Sequence, residues 1–214
     1  MPLSDDRYLR DLRRYNLALT FFRCGARPNT VRAWTGFSRQ RVRVIFRNYL
    51  ENRSNTDPRC SRGPNPTKLA NLLSNPTLRR ELTVMAGVCR LLHLIPEECM
   101  PNARTVLPSV ANGERLCHAL GLYYRMVPHA RLTLEHVILL VFELAEGSNW
   151  RLERCSGCRV VMLADRSSVG RRLCAECRQP KHLPRVSADH EADGPPGMAG
   201  GDSPESAGVQ QSLF

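Results

Sequence analysis

Only Lys68 and Lys181 are lysines among the 214 residues, aromatic residues make up 6%, and no apolar run approaches the ~20 residues of a bilayer-spanning helix. The most apolar stretch, His136–Leu144, is about half that length and Glu143 interrupts it. We therefore expect no transmembrane span. Met1–Asp6 carries two acids and no uninterrupted apolar core follows, so no secretory signal is expected and the protein is expected in the cytoplasm. The scarcity of aromatics leaves no Phe/Tyr-rich platform on which unpaired bases would stack. No His/Glu cluster of hydrolase spacing is present either, which argues against a hydrolytic metal centre.

What is abundant is arginine. The formal charge of +11 is unevenly spread: residues 1–53 carry 12 basic groups against 4 acids, 54–150 carry 10 against 8, and 151–185 carry 9 against 3. Residues 186–214 carry 5 acids and no base. Two basic regions thus flank a nearly neutral middle, a field that attracts polyanions and above all nucleic acid. Arginine forks onto phosphate and onto guanine edges, although a GC-rich genome would also favour it over lysine.

Four of the nine cysteines, Cys155, Cys158, Cys174 and Cys177, read C-x2-C-x15-C-x2-C. Each pair can place two sulfurs on one ion from a tight turn, and fifteen residues suffice for a hairpin that returns the second pair to the first. Thiolates are soft donors and Zn²⁺ accepts tetrahedral S₄ coordination without redox chemistry, so one zinc per chain is expected. An all-cysteine shell leaves no open position for substrate, so the site is read as structural. A redox dithiol, two disulfides and an iron–sulfur cluster are the competing readings. Cys24, Cys60, Cys89, Cys99 and Cys117 lack ligand spacing and are expected to be small buried apolar residues.

Along the chain, Tyr8, Leu12, Tyr15, Leu19 and Phe22 predict one face of a helix over 7–24, ended by Gly25. Pro28 suits the first turn of a second helix over 28–34, which Thr35-Gly36-Phe37 breaks, and Ser38 caps a third over 39–51. Three helices with tight turns are the sequence form of a helix-turn-helix, assigned to residues 1–53. On the third helix Val42, Ile45, Phe46 and Tyr49 form the packing stripe. Arg39, Gln40, Arg43 and Arg47 lie on an adjoining face suited to base edges in the major groove, the competing reading being a solvated basic face. A linker over Asn52–Pro66 leads to a helical middle, 54–150, with helices near Leu69–Leu73, Leu78–Leu92, Gly113–Met126 and Leu134–Glu146. His118 and His136 have no partner at ligand spacing and are read as packing or surface residues. Between the cysteine pairs, Val160–Leu163 predict a strand, Asp165–Ser168 a turn and Gly170–Leu173 the returning strand of a zinc-ribbon-like hairpin in a module over 151–185. Arg154, Arg159, Arg166, Arg171, Arg172 and Arg178 stud this module, with Arg171 and Arg172 taken as DNA contacts. Residues 186–214 read as a disordered acidic tail. The expected fold is mainly α, with an N-terminal helix-turn-helix, a helical middle and a small C-terminal β-hairpin built around the four cysteines.

The residues Gly25-Ala26-Arg27, Thr35-Gly36-Phe37-Ser38-Arg39, Trp150-Arg151-Leu152 and the two cysteine pairs, in that order, resemble the FlhC family, the zinc-containing subunit of the bacterial flagellar master regulator FlhD–FlhC. The resemblance spans roughly residues 7–180, with little to carry it over Pro64–Asn112. It implies that Cys155, Cys158, Cys174 and Cys177 are zinc ligands. It further implies a cytoplasmic transcription activator of flagellar and other operons, two FlhC and four FlhD chains binding promoter DNA and recruiting RNA polymerase. It carries over no DNA-contacting residue.

Two other classes compete. An RNA-binding zinc-ribbon protein would use the same basic charge but lacks the stacking platform. A thiol oxidoreductase would need one thiol of low pKa and would leave the second C-x-x-C without a role. The expectation is therefore a regulator and not an enzyme.

Overall fold

The computed structural model describes residues 3–52, 66–127, 129–167, 170 and 172–178. Among them are nine helices and one two-stranded sheet: α1 Leu3–Arg23, α2 Pro28–Thr35, α3 Arg39–Glu51, α4 Leu69–Leu73, α5 Pro76–Leu91, α6 Ala103–Val106, α7 Val110–Met126, α8 Leu134–Glu146, β1 Trp150–Arg154, β2 Val161–Asp165 and α9 Ala175–Arg178. The described residues belong to one compact unit. The N-terminal helices, the helical middle and the cysteine module thus share one core. The linker residues 53–65, Cys60, Arg171 and the acidic tail 186–214 lie outside the described residues. No described helix is long and apolar enough to cross a membrane.

The core is built around α8, whose Leu134, Val137, Leu140, Val141 and Ala145 are almost wholly enclosed, with α5 and α7 packed on it. α1 joins through Leu17, Ala18, Phe21 and Phe22. Its packing stripe is therefore confined to the C-terminal half: Tyr15 and Leu19 are partly buried, but Tyr8 and Leu12, expected on the same stripe, are exposed because the helix runs past the body it packs on. Close approach of α1 to α7 is set by Gly113, where a Cβ would meet Leu17 Cδ2 at 2.7 Å.

The geometry of α2 and α3 follows from local chemistry. Gly25, at φ 76°, ends α1, and Pro28 starts α2 where its missing N–H costs nothing. Arg27 offers no side-chain cap. Glu135, from the first turn of α8, supplies it: Oε1 accepts from the Arg27 backbone N–H at 3.0 Å and from Thr30 Oγ1 at 2.8 Å. At the other end Gly36 takes the left-handed conformation at φ 69°, and Thr35 Oγ1 donates to the Val31 carbonyl at 2.7 Å and accepts from the Phe37 N–H. Ser38 then accepts from the Arg41 N–H at 3.3 Å and opens α3 over the expected residues. Only three residues separate the two helices.

Two further buried carboxylates hold the middle together. Glu81 accepts from the Tyr123 hydroxyl and, at 2.9 Å, from the Arg131 N–H, tying α5 to α7 and to the approach to α8. Burial, reinforced by that carboxylate, pushes the Tyr123 hydroxyl above its usual pKa. Glu143 accepts from Arg104 Nη2 at 2.8 Å and anchors α6 on α8. Of the histidines, His118 is exposed, and His136 closes the N-terminus of α8 by accepting from the Thr133 N–H through Nδ1.

The hairpin differs from the expected one. β1 precedes the first cysteine pair, and it pairs antiparallel with β2 in the register Trp150↔Asp165, Leu152↔Leu163, Arg154↔Val161. The residues Gly170 and Arg172–Leu173 are not in a strand. Asp165 still makes a turn, accepting from the Ser167 N–H at 2.8 Å, but that turn ends β2 and does not connect two strands. The connection is the first cysteine pair itself: a chain already reversed at Cys155–Arg159 finds its partner upstream. Leu163 is enclosed in the core with Trp150 and Leu152 against it, so the sheet is seated on α5 and α8.

Candidate metal centre

Two backbone reversals bring the cysteines together. In the first, Arg159 adopts φ 64°, its N–H bonds the Cys155 carbonyl at 3.0 Å, and the Cys155 N–H bonds the Val160 carbonyl at 2.8 Å. In the second, the single turn of α9 lets the Arg178 N–H reach the Cys174 carbonyl at 3.0 Å. Ser156 laces the two by donating its N–H to the Arg172 carbonyl at 2.9 Å and its hydroxyl to the same atom at 3.1 Å.

The result is a cluster able to hold a metal ion. The Sγ atoms of Cys155, Cys158, Cys174 and Cys177 all lie within 4.8 Å of one another, the one such group among the described residues. Cys158 and Cys174 are 3.6 Å apart, close to the roughly 3.8 Å edge that ~2.3 Å metal–thiolate bonds impose on a tetrahedron. Backbone N–H groups point at the sulfurs: Cys174 N and Gly157 N lie 3.2 and 3.4 Å from Cys155 Sγ, and Cys177 N lies 3.4 Å from Cys174 Sγ. Donors of that kind favour thiolate over thiol. N–H groups of Cys158 and Cys174 lower the Cys155 pKa to about 6, whereas the sulfurs of Cys158, Cys174 and Cys155 push Cys177 up to about 12. Four sulfurs at contact distance do not all ionise unless a cation sits among them. The donor set therefore fits a soft, four-coordinate metal with no position left open.

Spacing does not single out Gly157, yet the cluster depends on it. A Cβ there would stand 3.0 Å from Cys177 Sγ and 3.4 Å from Cys177 Cβ. Gly157→Ala is expected to displace that ligand by a few tenths of an ångström and weaken metal retention about tenfold, as outer-shell changes do. Competition with a chromophoric chelator measures it, and unchanged retention would show that the reversal has slack.

The remaining cysteines behave unevenly. Cys89 is buried as expected, and its thiol is pushed up to about 12 by that burial. Cys24 and Cys117 are half-buried and hydrogen-bonded to each other, which lowers the first thiol's pKa and raises the second's. Cys99 departs from expectation and is exposed, lying against the α8–β1 turn, where Gly147 at φ 62° leaves room for its sulfur.

The predicted nucleic-acid contacts separate into two groups. Arg39, Gln40, Arg43 and Arg47 are all exposed along α3, while Val42, Ile45 and Tyr49 are buried and Phe46 is half-buried behind them. Arg172, near the cysteines, is half-buried and ion-paired with Glu153, which Arg151 also meets. It is a strut of the module rather than a free cation, and spacing gives no sign of this because its carboxylate lies nineteen residues away on β1. Fold and cluster together define a mainly helical protein carrying a four-cysteine metal-type site. No family model matches the chain, and no curated protein matches it.

Proposed function

We propose that the protein is a DNA-binding transcription activator in which α2 and α3 form a helix-turn-helix, α3 enters the major groove, and the four cysteines hold one structural Zn²⁺. The observation that carries the reading is the division of α3 into a buried apolar stripe and an exposed face bearing Arg39, Gln40, Arg43 and Arg47. Arg and Gln are the side chains that make paired hydrogen bonds to guanine and adenine edges. The three-residue turn, with α2 fastened to the core through Glu135, holds that face at a fixed angle to the body. Zinc is chosen because it accepts four thiolates in a tetrahedron without redox chemistry. The FlhC-like residues named above extend the proposal to an FlhD-type partner subunit, in a complex of two and four chains, and to recruitment of RNA polymerase to flagellar or related promoters.

The test is selection of duplexes from a random pool by the metal-loaded full chain, alone and co-expressed with an FlhD-type subunit. A motif should emerge, with binding that weakens steeply as salt rises. Arg43→Ala is expected to cost about 1–3 kcal/mol on that motif and much less on random duplex. Equal loss on both would make Arg43 a phosphate contact. Absence of duplex binding in either form, or displacement of duplex by single-stranded RNA at lower concentration, would overturn the reading.

A further inference from the structure

Where α1 crosses α3, the surface holds a concavity of about 360 Å³ lined by Arg7, Arg10, Asp11, Arg14 and Arg41. Four guanidinium-bearing side chains thus line it with one carboxylate, which Arg14 and Arg41 meet. Their convergence has a simple origin: Arg7, Arg10 and Arg14 recur at three- and four-residue intervals and occupy one stripe of α1, and the crossing adds Arg41 from the first turn of α3. The four arginines are exposed.

Three of the four groups are held by neighbours. The Arg41 guanidinium lies over the Phe37 ring, 4.3 Å from its centre, and its Nη1 is 3.5 Å from Asp11 Oδ2. Arg14 Nη1 stands 3.7 Å from the other oxygen of the same carboxylate. Arg10 donates Nε to the Asp6 carbonyl at 3.2 Å, which leaves its two Nη groups for another acceptor. Asp11 therefore offsets part of the mutual repulsion without neutralising the cluster, and ion pairs this long and exposed yield readily to a better anion. A phosphodiester oxygen is such an anion, since guanidinium pairs with it through two hydrogen bonds at once.

Position on α3 gives the cluster its role. At 100° per residue, Arg41 stands on the flank of the helix nearest α1, about 160° from Arg43, with the outward face between them. A helix in a groove about 12 Å wide has a phosphate strand on each side. We infer that Arg7, Arg10, Arg14 and Arg41 form a clamp for the phosphodiester backbone of duplex DNA, gripping the strand beside the groove that α3 enters. This rests on the duplex-binding reading above and adds to it a sequence-independent contact from a second helix.

The experiment compares the metal-loaded full chain, Arg10→Ala/Arg14→Ala and Arg13→Ala on selected and random duplexes from about 50 to about 200 mM salt, together with the FlhD-type subunit if binding requires it. Arg13 is the control: it lies on the same helix but forks onto Glu114, with Nη2 to Oε2 at 2.6 Å. The double variant should bind both duplexes more weakly by the same factor. Its log–log salt slope should be shallower by about 2, so that its loss of affinity over that range is about tenfold smaller than the unmodified protein's. Arg13→Ala should leave the slope within about half a unit. Steep wild-type binding with an unchanged slope in the double variant would overturn the clamp and leave duplex recognition standing. A slope reduced as much per charge by Arg13→Ala would reassign the effect to the overall field of the protein and overturn the clamp in the same way. No wild-type binding to duplex would remove both.

Discussion

Cys155→Ser, or removal of the ion by a chelator, is expected to unfold the cysteine module while the helices α1 to α8 stay folded. Cys155 is the ligand with most to lose, because its sulfur is buried and receives N–H groups from both reversals of the chain. Without a cation these donors and three neighbouring sulfurs remain crowded in one place with no opposing charge. Structural four-thiolate or mixed sites contribute roughly 10–16 kcal/mol of apparent binding energy in small zinc-finger peptides, and that energy is also folding energy. A two-stranded hairpin has little stability to set against such a loss. The sheet here has one advantage over an isolated hairpin, since Leu163 is seated in the main core. The loss should therefore be graded, nearly complete at Cys155–Arg159 and Arg172–Arg178 and smaller in β1 and β2. Hydrogen exchange with and without chelator, alongside metal content per chain, measures both parts. Unchanged exchange over Cys155–Arg178 after complete loss of the ion would show that the fold of the module does not depend on it.

Which parts of this molecule can be read from the chain follows from how local their causes are. Gly36 ends α2, Ser38 opens α3, and Thr133 and Gly147 bound α8, each lying directly beside the helix it limits, and α3 and α8 run over the expected residues. The cysteine cluster is legible for the same reason, each reversal being complete within a few residues. β1 escapes because its alternation, Trp150 and Leu152 against Arg151 and Glu153, is short and follows closely on a helix. Spacing consequently places the hairpin between the cysteine pairs instead of around the first one. Contacts that join distant segments leave no mark at all. Glu135 caps α2 from 108 residues away, and Arg41 meets Asp11 across 30. A stripe of apolar residues on α1 says that a helix is amphipathic but not how far along its length there is something to pack against. Periodicity therefore assigns Tyr8 and Leu12 to a core that begins further along the helix.

Phe22→Ala is expected to have the largest effect on stability among the helices that carry the exposed arginine face. The side chain is wholly buried at the end of α1, and its ring meets Phe46 at 5.0 Å and stacks on Tyr49 at 5.7 Å between centres, both on the inner stripe of α3. Truncating a buried phenylalanine costs about 3–5 kcal/mol, part from lost transfer energy and part from the cavity that close-packed neighbours cannot fill. Phe22→Leu keeps most of the volume and should lose only a fraction of that. Urea denaturation followed by circular dichroism gives both values. The pair also separates two origins of the exposed arginine face. If α3 is held by its contact with α1, then Phe22→Ala should weaken the proposed duplex binding even under conditions where the protein is still folded, because Arg41 and the α1 arginines lose their register with Arg43 and Arg47. If the Ser38 cap and the three-residue turn from α2 suffice, stability will fall and affinity will not. The first outcome is expected, since Phe22 is wholly buried against both Phe46 and Tyr49 and so shares with the turn from α2 in setting the direction in which α3 runs.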